Sequence, residues 1–293
     1  MVPVRPVIRS LSLPEVSTVV GWAAEEGWNP GLHDADAFFA ADADGFLGAF
    51  AGDGLAGAVS AVRYGERFGF IGLFLVPRDQ RRLLHGIRLG RAALARLDGR
   101  CVGTDGVPAQ QHHYERLAGF RTAWRNVRYR GTVGAAGAAP GGAPDDRSLL
   151  PADALPFEAL AAYDAAHFGA RRDAFLQPWI SLPGHRALVC AEGGGAGLEP
   201  EIRGFGVLRP CREGAKVGPL FAADASIAEA LLLRLTAGVA DVILDVPEAN
   251  PAAVALARRH GMTPVFETAR MYRGGDPGLP AAQIFGITTF ELG

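Results

Sequence analysis

A low-complexity stretch divides this chain of 293 residues into two parts of similar size. Residues 131–146 read GTVGAAGAAPGGAPDD and consist almost wholly of Gly, Ala, Pro and Asp. Such a segment buries too little apolar area to offset the entropy of ordering its backbone, so it is expected to be a linker. We therefore predict a first domain at residues 1–131, a linker at 132–147 and a second domain at 148–293.

The two parts repeat the same order of predicted elements. Each begins with helical patterns, continues with three strand-like runs, and ends with helix, strand, helix and strand. The clearest match is between DGVPAQQHHYERLAGF (105–120) and DVPEANPAAVALARRHGM (245–262). The period is too long for a solenoid, which favours two related domains. The predicted fold class is α/β (α+β), with a mixed, mostly antiparallel sheet flanked by helices in each domain.

Composition excludes several classes of function. The net charge of −2 and the pI near 6.4 argue against a nucleic-acid partner bound through its phosphates. No window approaches the roughly 18 apolar residues of a membrane-spanning helix, so no membrane partner is expected. The three cysteines lie far apart without a C-x-x-C pair, which predicts neither a metal site nor disulfides and fits a cytoplasmic location. They are Cys101, Cys190 and Cys211.

A basic turn lies between a predicted strand and a predicted helix. The turn is PRDQRRLLHG (77–86), the strand is FIGLFLV (70–76), and the helix is IRLGRAALARL. A helix N-terminus at such a turn binds phosphate well, because its free N–H groups converge there with the positive end of the helix dipole. The turn is therefore a candidate site for a phosphate-bearing ligand.

Together with this turn, the stretches LVP and YERLAGF carry a family resemblance. The first part resembles the GNAT superfamily of acyl-CoA-dependent N-acetyltransferases, whose signature is a Val-x-Pro strand end, a Gln/Arg-x-x-Gly-x-Gly/Ala loop and a helix ending Tyr-x-x-x-Gly-Phe. The whole chain is similar to bacterial tandem proteins in which a second, diverged GNAT domain follows the first. The resemblance implies transfer of an acetyl group from acetyl-CoA, the co-substrate, to a primary amine of a small-molecule or peptide acceptor, without a metal.

The resemblance also implies which residues bind acetyl-CoA. Backbone amides of Leu75 and Val76 would hold the acetyl group and pantetheine, and the following loop would hold the pyrophosphate. If Gln80 opens the loop, its two small positions fall on Leu83 and His85; if Arg81 opens it, they fall on Leu84 and Gly86. The second register gives the predicted pyrophosphate site Arg81, Arg82, Leu84, His85, Gly86 and Ile87.

The chemistry implied by the resemblance needs an acid for the leaving thiolate and a base for the amine. Tyr114 is the implied acid when the helix is counted from Pro108, whereas counting back from Gly119 puts Glu115 at that position. An amine of pKa ~10.4 must lose a proton before attack. The candidate bases are Glu25, Glu26, Asp34 and Asp105, of which Glu26 and Asp105 are preferred.

The stretch EEGWNPG (25–31) is expected to lie over the acceptor, so Trp28, Asn29 and Asp34 are its predicted contacts. The second part lacks the phosphate loop and has Ala257 at the Tyr position, so it is not expected to bind acetyl-CoA. It is expected either to wall off part of the acceptor site or to mediate pairing into a homodimer. Rival readings are a catalytically degenerate pair that binds CoA or a metabolite, and a purely structural pair.

Overall fold

The computed structural model of the protein describes residues 6–81, 85–134, 149–193 and 200–293. The predicted linker lies largely outside these residues, as do Arg82, Leu83 and Leu84. The helices are α1 (Leu13–Glu25), α2 (Asp34–Ala41), α3 (His85–Arg96), α4 (Pro108–Ala118), α5 (Phe157–Phe168), α6 (Asp173–Trp179), α7 (Ala225–Leu235) and α8 (Pro251–Arg259).

The strands of the first half are β1 (Val7–Ser10), β2 (Phe46–Ala51), β3 (Gly54–Tyr64), β4 (Phe68–Leu75), β5 (Cys101–Gly106) and β6 (Arg121–Gly131). Those of the second half are β7 (Leu149–Pro151), β8 (Arg186–Glu192), β9 (Glu201–Pro210), β10 (Ala215–Ala222), β11 (Val242–Pro247), β12 (Thr263–Arg273) and β13 (Ile284–Gly286). "First half" and "second half" denote these two sets with their helices.

Capping residues set the helix boundaries that position the site. The carboxylate of Glu15 accepts a hydrogen bond from the Ser12 N–H at 2.8 Å, and Pro14 lies in the first turn, so both residues favour the start of α1. Helix α4 begins at Pro108, as predicted, and ends at Gly119, whose φ of 71° is left-handed. The Asn250 side chain accepts from the first N–H groups of α8 and caps it.

All the described strands form one sheet. Its order is β1-β2-β3-β4-β5-β12-β6-β11-β10-β9-β8-β7. Strand β13 also pairs with β10 and is not part of this order. The pairs β4–β5 and β10–β11 are parallel and the other pairs are antiparallel. The fold class predicted from the sequence is confirmed. Counted from one edge, β1 to β5 are followed by β12; counted from the other edge, β7 to β11 are followed by β6, as expected of two related halves.

The halves exchange one strand each. β12 of the second half lies between β5 and β6 of the first, and β6 lies between β12 and β11. The local sequence pattern predicts these strands but not this pairing. As a result each of the three hydrophobic clusters contains residues of both halves; the largest packs α2 on α6, with the rings of Phe38 and Trp179 stacked 6.4 Å apart.

The C-terminal residues 284–293 are buried between the two halves. They approach the backbone of β4 so closely that a Cβ atom at Gly72 would lie 1.8 Å from the Glu291 carbonyl oxygen. In the same way, a Cβ atom at Gly218 of β10 would lie 2.5 Å from the Thr288 carbonyl oxygen. Both positions therefore require glycine.

Candidate active site

Strands β4 and β5 run side by side and then separate. Their ladder extends from Phe68 paired with Cys101 to Ile71 paired with Thr104. Beyond it β4 bulges away from its register with β3, and Leu73 takes a left-handed φ of 41°, unusual for a residue with a side chain. The bulge opens a gap between the two strands on the side where the basic turn follows β4.

A cavity of about 70 Å³ lies in this gap. It brings together Trp28, Asp105 and Tyr114, three of the residues predicted from the sequence. The remaining lining residues are Gly72, Leu73, Phe74, Thr104, Val107, Gln110, Phe266, Thr268 and Phe290. The last three belong to the second half, so both halves build the cavity.

Tyr114 of α4 faces this cavity, whereas Glu115 faces outward and accepts a hydrogen bond from Thr122 Oγ1 at 3.2 Å. Helix α4 packs so close to β5 that a Cβ atom at Gly106 would lie 3.0 Å from the Tyr114 ring. Burial raises the pKa of Tyr114 above its ordinary value. The phenol therefore keeps its proton near neutral pH.

Asp105 lines the same cavity with its carboxylate fully engaged. Arg270 of β12 donates to both oxygens, from Nε at 3.0 Å and from Nη2 at 2.9 Å, and Asn126 Nδ2 donates at 2.8 Å. Burial raises the pKa of Asp105, while the charge of Arg270 and the hydrogen bonds from Arg270 and Asn126 act against that rise. The ion pair between Asp105 and Arg270 therefore links β5 to β12, the strand that the second half contributes.

Glu26 and Arg81, predicted as base and phosphate ligand, pair with each other. Arg81 Nη2 donates to the Glu26 carboxylate at 2.6 Å, and its Nε donates to the Val76 carbonyl at 2.9 Å. Arg78 lies 3.7 Å from the same carboxylate. The basic turn is thereby joined to the end of α1.

The segment between α1 and α2 contacts the second half. The Asn29 side chain donates to the carbonyl of Glu213 at 2.8 Å and accepts from its N–H at 3.1 Å. Asp34 is completely buried, accepts from the Gly31 N–H, and lies 3.1 Å from Nε of Arg209. Asp34 therefore fixes the start of α2 and lies away from the cavity.

Trp28 is held through its backbone by two buried cations of the central strands. Its carbonyl accepts from Arg128 Nη1 at 2.7 Å and from Lys216 Nζ at 3.1 Å. Burial, together with the nearby Arg128 charge, lowers the pKa of Lys216 to about 8. The position of Trp28 over the cavity thus depends on both halves.

The described part of the predicted phosphate site lies at the start of α3. Leu75 is buried and pairs with Ala58, and His85 is buried as the first residue of the helix. Ile87 is 55% exposed. A Cβ atom at Gly86 would meet only ordinary contacts with Val76 and Phe74, so the protein itself does not require glycine there. The predicted ligands Arg82 and Leu84 lie outside the described residues.

A larger chamber of about 480 Å³ adjoins the cavity, with Phe266 lining both. Its walls come from the end of α1, the central strands and the β9–β10 hairpin. They are Ala24, Glu25, Gly27, Asn29, Arg128, Arg130, Arg212, Glu213, Ile243, Val265 and Phe266. A volume of this size suits a small molecule, since ligand pockets range over about 300–1,000 Å³.

Sequence comparison places the chain in a family. The profile of the GNAT acetyltransferase domain matches residues 160–286, in the half expected to be the more diverged. The holothin acyltransferase of Pseudoalteromonas sp. strain SANK 73390 is 30% identical over 285 residues, which cover 96% of this chain and 92% of the relative. The chain belongs to the GNAT acyltransferase superfamily.

Solved GNAT structures share the fold. A Pyrococcus horikoshii protein assigned to the acetyltransferases matches 99% of this chain and 96% of its own, with a TM-score of 0.80 and 22% identity. A tandem GNAT protein of the clavulanic acid biosynthesis pathway, solved without AcCoA, matches 92% of this chain and 99% of its own, with a TM-score of 0.59 and 15% identity. The tandem arrangement therefore recurs in this superfamily.

The gap in the first half lies beside β4, the strand that the resemblance predicts to hold the acyl group. In GNAT proteins the strand before the phosphate loop holds this group, and here the bulge at Leu73 separates β4 from β5 above the cavity.

Within the described residues, no group of three or more His, Cys, Asp or Glu could hold a metal ion. No helix among them is long and apolar enough to cross a membrane.

The equivalent gap in the second half is filled by the chain itself. β13 pairs with β10 at Leu220 and Phe221, and the Ile287 N–H donates to the Asp245 carbonyl of β11 at 3.0 Å. At the start of α7, the Asp224 carboxylate accepts from the N–H groups of Ser226 and Ile227. In the order of the sheet, β10 is the equivalent of β4, so β13 and Asp224 lie at the positions equivalent to the gap beside β4 and the start of α3.

Sequence reasoning missed the site residues of the second half. Phe266 and Thr268 lie on the exchanged strand, and Phe290 lies in the buried C-terminal segment. No local pattern pointed to β12 as a neighbour of β5.

Proposed function

We propose that this GNAT protein transfers an acyl group, in the simplest case acetyl, from acyl-CoA to a primary amine of a small molecule. The observation that carries the proposal is the cavity where β4 and β5 separate, with Tyr114 in its wall. Leu75, Val76 and the start of α3 would hold the donor. The acceptor would enter from the chamber beyond Phe266.

Tyr114 is the proposed acid. The amine nitrogen bonds to the acyl carbon, the carbon–sulfur bond breaks, and the phenol gives its proton to the departing thiolate. The proton released by the amine passes to water and restores the phenol. Because the pKa of Tyr114 is raised by burial, the acid form persists over the physiological range.

The amine is proposed to bind in its neutral form, without Asp105, Glu26 or Asp34 as its base. Glu25, the fourth candidate, lines the chamber through which the acceptor would enter. Asp105 would have to release Arg270 to accept a proton, which would leave a buried guanidinium unpaired. Glu26 is paired with Arg81, and Asp34 is buried against Arg209. Amines of low pKa are therefore the expected acceptors, since a large share of them is neutral at pH 7.

A small-molecule acceptor is favoured by the shape of the chamber and by the relative. The chamber is lined by residues of both halves and combines the arginines Arg130 and Arg212 with the apolar side chains of Ile243, Val265 and Phe266. The similar protein from Pseudoalteromonas is a holothin acyltransferase. Holothin is accordingly the first acceptor to test, and acyl groups other than acetyl belong in the same test.

The proposal is tested by measuring CoA release and the acylated product. The purified protein is mixed with acetyl-CoA or longer acyl-CoAs and a panel of amines that spans low and high pKa and includes holothin. Acceptor-dependent CoA release that is fastest for amines of low pKa is the expected result. Binding of acyl-CoA without turnover for any acceptor would instead favour the degenerate, ligand-binding reading.

A further inference from the structure

One polar group in the cavity has no hydrogen-bond partner in the part of the chain that the structure describes. Thr268 of β12 is 2% exposed, and its Oγ1 makes no hydrogen bond within the described residues. It lines the cavity together with Asp105 and Tyr114. A buried hydroxyl is costly to leave unpaired, so its partner is expected to be a group that enters the cavity.

The course of β12 shows which substrate passes Thr268. A register shift between Pro264 and Phe266 places both Val265 and Phe266 at the chamber. From Phe266 onward side chains alternate, so Phe266, Thr268 and Arg270 share one face. Phe266 borders the chamber and Arg270 binds Asp105 in the cavity wall, so Thr268 lies between the chamber and the end of the cavity.

The donor is held on the opposite strand. Leu73 and Phe74 of β4 line the cavity across from β12, and the acyl group lies along β4 under the proposed function. The group that reaches Thr268 from the chamber is therefore the acceptor. The β-branched side chain of Thr268 has few χ1 rotamers, so its hydroxyl is held in a fixed direction.

We propose that Thr268 Oγ1 accepts a hydrogen bond from the attacking amine and thereby turns the nitrogen lone pair toward the acyl carbon. This assignment rests on the proposed function. Thr268 takes no proton in the step and contacts only the acceptor. The second half then contributes directly to the transfer site of the first, through the strand that it exchanges.

The test compares Thr268→Val, which keeps the side-chain shape, with Thr268→Ser, which keeps the hydroxyl. For Thr268→Val we expect kcat/KM for the acceptor to fall about three- to tenfold, the size of one hydrogen bond. The Kd for acyl-CoA, measured by calorimetry, stays unchanged. Thr268→Ser recovers most of the acceptor kcat/KM. Thr263→Val, at the exposed start of the same strand, serves as the matched control and behaves as wild type.

Thermal unfolding separates this role from a structural one. Removing a buried hydroxyl that has no partner leaves Tm unchanged or raises it, whereas removing a hydroxyl with a structural hydrogen bond lowers it. An unchanged acceptor kcat/KM in Thr268→Val, a lowered Tm, or weaker acyl-CoA binding would overturn the assignment. Lack of turnover by the wild-type protein with every acceptor would overturn the proposed function and this assignment together.

Discussion

Tyr114 owes its place to two residues that flank it in the sequence. Pro108 starts α4 and Gly119 ends it, so the helix has one register and presents Tyr114 to the cavity. Glu115, the alternative from the sequence count, lies on the exposed side. A phenol in this position has one property that its ring alone lacks, which is a transferable proton.

Replacing Tyr114 with Phe should therefore lower kcat by roughly 10²- to 10⁴-fold, the usual contribution of a general acid. The Kd for acyl-CoA should hardly change, because the ring remains. Since the pKa of Tyr114 is raised by burial, wild-type activity should fall only as pH rises above the ordinary tyrosine range of about 10. Steady-state kinetics over a pH series would check both.

Tyr163→Phe is the matched control, since Tyr163 lies in the second half and its hydroxyl has no hydrogen bond within the described residues. Equal kcat for Tyr114→Phe and wild type would remove Tyr114 from the mechanism.

Lys216, the single lysine of the chain, is buried where the halves meet. Its folded pKa of about 8 lies below the model-peptide value of 10.5, so between these values the unfolded chain binds more protons than the folded one. Lys216 therefore lowers the free energy of unfolding most below about pH 8. This destabilisation becomes smaller as pH rises toward about 10.5.

Lys216→Met should remove this pH dependence. The free energy of unfolding of the variant should exceed that of wild type by most below about pH 8. This difference should shrink by up to about 3 kcal/mol as pH rises from about 8 to about 10.5. Urea unfolding of both proteins at several pH values measures the difference. A difference in the free energy of unfolding that does not vary with pH would contradict the assignment to Lys216.

At the level of strands, two buried ion pairs mark equivalent positions in the halves. Asp105 of β5 binds Arg270 of β12, and Asp245 of β11 binds Arg128 of β6, each through two hydrogen bonds. Each aspartate lies on the strand that borders the exchanged strand in one half, and each arginine lies on the strand exchanged from the other half. The equivalence assigns Asp105, a predicted base, a structural ion pair in the sheet.

The closed gap of the second half predicts one acyl-CoA per chain. β13 occupies the side of β10 that the donor would use, and Asp224 places a negative charge at the start of α7. Calorimetric titration of the intact protein with a non-hydrolysable acyl-CoA should give a stoichiometry near one. A second equivalent bound at similar affinity would show that β13 leaves its place.

The elements themselves were predictable, and their neighbours were not. Apolar periodicity with Pro and Gly signals located α1, α4 and α8, and three predicted residues, Trp28, Asp105 and Tyr114, meet in the cavity. The alternation along β12 states which side of the strand is buried but not which strand lies beside it. Thr268 is separated from Tyr114 by more than half the chain, so only the sheet order reveals that they share a cavity.

For the whole molecule, the exchanged strands make the two halves one unit of stability. β12 contributes Ala269 and Met271 to the core of the first half, and β6 contributes Val127 and Tyr129 to that of the second. Neither half has a complete sheet or core without the other.

We therefore expect a single calorimetric unfolding transition for the intact protein, with calorimetric and van't Hoff enthalpies that agree. Residues 1–134 expressed alone should lack a cooperative transition, because the place between β5 and β6 is empty. Two separate transitions, or a folded isolated first half, would show that the exchange contributes little to stability.

The position of β12 also sets the order of events during synthesis. β5 and β6 leave the ribosome long before residues 263–273, which must come between them. Until then both strands present unpaired edges, which are sites of aggregation in other nascent chains. The first half can thus begin to fold during translation, but its sheet closes only when nearly the whole chain has been made.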